Sequence, residues 1–174
     1  MKRNEIENRA TQILRDHDLF DVPVDPLKVA KALGIKVMNA VFSEPNKSGA
    51  VAKRGQEYSI FLNTNEPPSR KRFTIAHEIG HRLLHMSSDE DTEFVDTEDN
   101  FRTAEVIDSE TWDTDRRREW EANVFAGALL MNEALLREKW QAYKDSSYLA
   151  WMFQVSTTAM VVRLSQLGLL EELP

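Results

Sequence analysis

The sequence has no cysteine among its 174 residues. Disulfides and thiolate-held metals are excluded, so any metal site must use histidine and carboxylates. No apolar run approaches membrane-spanning length. The N-terminus, Met1-Lys2-Arg3-Asn4-Glu5, is charged with no apolar stretch behind it, so a secretory leader is not expected. Positive charge is also short. A formal net charge of -7 argues against a nucleic-acid binder acting through its whole surface. These absences are compatible with a cytoplasmic protein without membrane attachment. What is present is enough apolar residue for a real core, at 41% of the chain. The length fits one domain, or one domain with a small appendage.

Residues 4–17 predict an amphipathic helix with Ile6, Ala10, Ile13 and Leu14 on one face. Asp25-Pro26 reads as a cap and first-turn proline, opening a short helix that stops at Gly34. Three β-like runs follow, Ile35–Met38, Gly49–Ala52 and Tyr58–Leu62, separated by turn-rich stretches. They predict an antiparallel meander. Pro67-Pro68-Ser69 closes that region, with Ser69 expected to cap a helix running to Met86. Residues 87–115 then carry twelve Asp/Glu and one Arg. They read as a long solvated surface loop, with a gate over the site as the sharper alternative. Further helices are expected over 116–131, where most side chains are buried, and over 132–143. Two short ones follow, meeting in a turn at 154–156.

The chemistry is concentrated in His77-Glu78-Ile79-Gly80-His81. On a helix, positions i and i+4 lie about 40° apart, so both imidazoles reach one metal. Glu78, one residue after the first ligand, is placed to act as base and proton shuttle for water attacking a carbonyl. Three fixed residues recur by chance in roughly one protein of this size in a few hundred. Here the variable positions are Ile79 and Gly80, and Ile75, Ala76, Leu83 and Leu84 flank them, which is the buried helical setting such a site needs.

A catalytic zinc usually keeps three protein ligands and one open position. The third is sought in Glu119-Trp120-Glu121-Ala122-Asn123. Ala122, Asn123 and Ala126 project within about 60° of Glu119, a small-residue stripe that permits close helix packing, whereas Glu121 points about 200° away. Glu119 is therefore the expected ligand. Glu121 is the reserve, otherwise a surface or salt-bridged carboxylate. Asn123, one turn after Glu119, is placed to hydrogen-bond a ligand histidine from behind. His85, a turn beyond His81, is read as a packing or hydrogen-bonding residue. For stabilising an oxyanion, Tyr58, Tyr143, Tyr148 and His85 all stay open.

With these residues in hand, the chain resembles the ImmA/IrrE family of zincin metallopeptidases. The resemblance is carried by Val24-Asp25-Pro26-Leu27, Ser48-Gly49-Ala50, Ile60-Phe61-Leu62-Asn63, Arg72 to His85, and Glu119 to Ala126 followed by Leu129-Leu130-Met131. Where the family often has Met-Pro, this chain has Met131-Asn132, and Asn132 is expected to cap the next helix instead. The resemblance implies Zn2+ held by His77, His81 and Glu119, with Glu78 catalytic. It also implies a protein substrate, commonly a helix-turn-helix repressor or antitoxin, whose cleavage relieves repression or starts a stress response.

The expected fold is α+β: a mainly helical zincin-like core with a small three-stranded antiparallel sheet. The expected division is a metallopeptidase domain over 1–143, with the acidic 87–115 insert, and a helical appendage over 144–174. The appendage has a helix-turn-helix cadence. A recognition helix should offer several basic or amide side chains, and this one offers only Arg163 and Gln166 beside Thr157 and Thr158. Direct DNA binding is therefore disfavoured against packing or docking of the protein substrate. The competing reading is a regulator that keeps the fold without turnover. The retention of Glu78 favours the enzyme.

Overall fold

The computed structural model describes residues 1–43, 47–86, 93–97 and 114–170. Helix α1 (Arg3–Asp16) buries Ile6, Ala10 and Leu14 along one stripe. The side chain of Asp25 accepts from the Leu27 N–H and opens α2 (Pro26–Ala32), with Pro26 in the first turn. Gly34, at φ +70°, takes the left-handed position that ends this helix and turns the chain into the sheet.

The sheet corrects the expected three-stranded antiparallel meander. It has four strands, β1 (Ile35–Ala40), β2 (Lys47–Arg54), β3 (Glu57–Asn63) and β4 (Glu93–Thr97), in the order β1-β3-β2-β4. It is mixed, because β1 runs parallel to β3, with Ile35 opposite Tyr58 and Ala40 opposite Asn63. The cause lies in β2. One edge is taken by β3 through a tight hairpin at Gly55 (φ +59°), and the other by β4. β1 is left with the free edge of β3. The fourth strand comes from within the acidic stretch that was expected to be loop throughout. Residues 114–115 of that stretch belong to the helix that follows it, and whether 87–92 and 98–113 form a solvated loop or a gate falls outside the described residues.

Helix α3 (Pro68–Leu84) starts one residue before the expected Ser69 cap. Pro67 is the capping residue and Pro68 the first of the helix, where its fixed φ costs nothing. Helix α4 (Thr114–Leu130) is buried on most of its circumference and packs against α3 and α1. Asn132 accepts from the Ala134 N–H and opens α5 (Glu133–Tyr143). Helices α6 (Ser146–Phe153) and α7 (Thr157–Gln166) meet at Gln154, which is left-handed at φ 55°. Ser156 caps α7 by accepting from Ala159.

Two apolar cores result. Ile6, Leu14, Ile75, Ile79, Phe125, Leu129, Val51 and Ile60 join α1, α3, α4 and the sheet. Leu136, Trp140, Leu149, Phe153, Met160 and Leu164 join α5, α6 and α7. Arg163 is buried between them. It donates to the Met131 carbonyl at 3.2 Å and to Glu7 of α1 at 2.7 Å. Among the described residues, no helix is long and apolar enough to cross a membrane.

Candidate metal centre

The site forms where α3 and α4 touch. A Cβ on Gly80 would lie 3.2 Å from the Ala122 Cα and 3.2 Å from the Phe125 ring, so glycine lets the two backbones come a few tenths of an ångström closer than a side chain comfortably allows. The small-residue stripe of α4 is the surface that meets it. Glu119, one turn before Ala122 and Asn123, is thereby carried to the side of α3 that bears His77 and His81.

His77 Nε2 and His81 Nε2 stand 2.8 Å apart. Glu119 reaches both, with Oε2 3.3 Å from His77 and Oε1 3.2 Å from His81. One ligand atom from each residue lies within 4.8 Å of the other two. Both rings are buried, and Glu119 is largely so. Behind them, His77 Nδ1 lies 2.9 Å from the Asn123 side-chain oxygen. His81 Nδ1 lies 3.2 Å from His85 Nδ1, and His85 Nε2 lies 2.9 Å from Glu121 Oε2.

This donor set fits a metal ion. A carbonyl oxygen only accepts, so Asn123 fixes the His77 proton on Nδ1 and leaves Nε2 bare. That bare nitrogen faces a Glu119 oxygen which is buried and receives no hydrogen bond among the described residues. Acceptors converging at these distances repel one another unless a cation stands between them. The protonation states agree. Burial, opposed by Glu119, pushes His81 down to about 4, so the ring is neutral near pH 7. Burial works to raise the Glu119 carboxyl, and only hydrogen bonds and positive charge from the His77 and His81 rings would hold it at about 2; with the His77 Nε2 bare, a cation at the same point is what keeps it ionised. Burial likewise lowers His85, with Glu121 opposing.

Glu78 is fully buried on the same turn as the two histidines. Strand β2 passes directly above it. A Cβ on Gly49 would lie 3.2 Å from Glu78 Oε1 and 2.4 Å from the Thr74 methyl carbon, so the bare backbone of Gly49 is what makes room for this carboxylate.

The residues singled out from the sequence thus divide. His77, His81, Glu119 and Asn123 come together in one bonded cluster. Glu121 is salt-bridged but not on the surface, since its side chain is only 8% exposed. It contacts His85, Arg117 and the Met1 ammonium. Tyr143 and Tyr148 form an exposed aromatic row with Trp151, and Tyr58 lies beneath the Arg82 guanidinium. Arg163 and Gln166 are both engaged within the molecule, with Glu7 and Arg3 respectively. Sequence reasoning missed Gly49, Gly80 and the join from His85 to Glu121. The one available signal was an isolated glycine inside a strand and another inside a helix, each a mark of close approach.

Comparison with known proteins agrees with this geometry. Residues 30–165 match the peptidase M78 family model, described as the IrrE N-terminal-like domain. The radiation response metalloprotease IrrE of Deinococcus radiodurans is 34% identical over 79 residues. That alignment covers 45% of this chain and 21% of the Deinococcus protein, so the similarity spans about a fifth of that relative's length.

Proposed function

The chain belongs to the ImmA/IrrE family of M78 peptidases, and from that premise we propose that it is a zinc endopeptidase cutting one specific regulatory protein. The observation that carries the reading is the convergence of His77, His81 and Glu119 around one point. Two imidazoles and one carboxylate, with no thiolate, are a donor set for a catalytic zinc that keeps one position open. Zinc held there supplies a Lewis acid that polarises the scissile carbonyl and makes water easier to deprotonate.

The remaining work falls to the chain's own residues. Glu78 takes a proton from water as its oxygen attacks the carbonyl carbon. As the carbon–nitrogen bond breaks, Glu78 returns that proton to the leaving amine. Asn123 holds the His77 ring by accepting from Nδ1. Burial of His77, Glu78 and His81 keeps bulk water from competing for these groups.

The proposed substrate is a helix-turn-helix repressor or antitoxin, so that cleavage relieves repression. The resemblance of the signature residues to the family supports this, and the name of the Deinococcus relative ties a member to a radiation response. The proposed location is the cytoplasm, where such a regulator is found. The test is co-expression with a helix-turn-helix regulator encoded in the same gene neighbourhood, using wild type and Glu78→Ala. The reading predicts cleavage by wild type and an intact partner with the variant. A partner left intact by both contradicts it.

A further inference from the structure

The hydrogen bonds behind His81 run further than those behind His77, and their direction can be derived. Glu121 Oε1 faces Arg117 and the Met1 ammonium, while Oε2 faces His85 Nε2 at 2.9 Å. An ionised carboxylate only accepts, so the proton in that contact belongs to His85 Nε2. A neutral His85 then has a bare Nδ1. The ring nitrogen 3.2 Å from it is His81 Nδ1, which must supply the proton of that bond. His81 in turn is left with a bare Nε2, pointing at His77 and Glu119.

We propose that His85 and Glu121 are positioning residues: a relay in which Glu121 sets the proton of His85, and His85 sets the tautomer and ring orientation of His81 for metal binding. The proposal rests on the zinc reading above. It gives Glu121 and Glu119 separate tasks although they stand two residues apart. Glu119 faces the metal point, and Glu121 acts on the same point through two rings. It also explains why the reserve carboxylate is buried. The two ligand histidines are thereby oriented by different devices, His77 by an amide on α4 and His81 by a histidine at the end of α3. Such outer partners typically alter metal affinity by about 10–100-fold.

The test uses the full-length, zinc-loaded protein with 15N-labelled histidine. Ring spectra are expected to show His81 protonated on Nδ1, and His85 protonated on Nε2 with a bare Nδ1. A proton on His85 Nδ1 overturns the relay. Zinc affinity is measured in parallel by chelator competition. His85→Phe is expected to lose about 10–100-fold. His85→Gln, whose amide can accept from His81 and donate to Glu121, is expected to recover most of the loss, which a merely space-filling role would not produce. Should His85→Phe not fold, Glu121→Leu serves instead, and mixed His85 tautomers are the expected result. Equal zinc affinity in wild type, His85→Phe and Glu121→Leu defeats the relay but leaves the zinc reading intact. A wild type that holds no zinc, by contrast, defeats the zinc reading itself.

Discussion

At the scale of single residues, the groups that face the metal point are distinct from the groups that hold them there. Asn123 is the cleanest case, because the 2.9 Å bond to His77 ties it to the site without placing it at the metal point. Asn123→Leu keeps the volume and removes the acceptor. We expect it to lower zinc affinity by about 10–100-fold with little change in folding, read by chelator competition and circular dichroism. Unchanged affinity would show that the amide does not orient the ring. That Glu119 rather than Glu121 lies beside His77 and His81 was legible in the sequence, because a helix fixes which side chains share a face. The task of Glu121 was not legible. It depends on His85, which comes from another helix, and no local periodicity encodes that meeting.

At the scale of elements, one contact governs the site: α3 against α4 at Gly80. Gly80→Ala adds a methyl that must displace Ala122 or Phe125, since its Cβ would sit 3.2 Å from each. Overpacking of this kind costs about 1–3 kcal/mol. It should also weaken zinc binding, because Glu119 rides on the helix that is pushed away from His77 and His81. Thermal unfolding and zinc titration on the same variant check both halves. A variant as stable as wild type with full zinc affinity would mean the helices have slack. The helices themselves could be read from apolar spacing and caps, with Asp25, Asn132 and Ser156 placed as their side chains suggest. Strand pairing was harder. β-like runs reveal strands but not neighbours, and the acidic composition around β4 hid a strand that occupies the edge of β2. The register of β2 over α3, which puts Gly49 above Glu78, is a long-range fact of the same kind.

At the scale of the whole molecule, the chain is tied together across its two cores by long-range polar contacts. Arg163 of α7 holds Glu7 of α1 and the Met131 carbonyl, and Arg72 of α3 donates to the carbonyls of Val24 and Gln154. We expect Arg163→Leu to destabilise the protein by about 1–3 kcal/mol, since it leaves the Met131 carbonyl without this donor and Glu7 with only the more distant Arg3 guanidinium, at 3.7 Å, among the described residues. The midpoint of thermal unfolding should fall, while a folded sample keeps its zinc. A drop in zinc content at full helicity would instead couple this brace to the metal point. The helix-turn-helix cadence was visible in the sequence, but the burial of Arg163 was not, because burial depends on α1, far away in the chain.

The central claim is that one zinc ion sits between the two histidines of α3 and Glu119 of α4. Anomalous diffraction at the zinc edge, from crystals of the zinc-loaded protein, tests it most directly. A single strong peak bounded by His77 Nε2, His81 Nε2 and the Glu119 carboxylate is expected, with Glu121 turned to His85. A peak at Glu121 and His85, or no peak between the two helices, would contradict it.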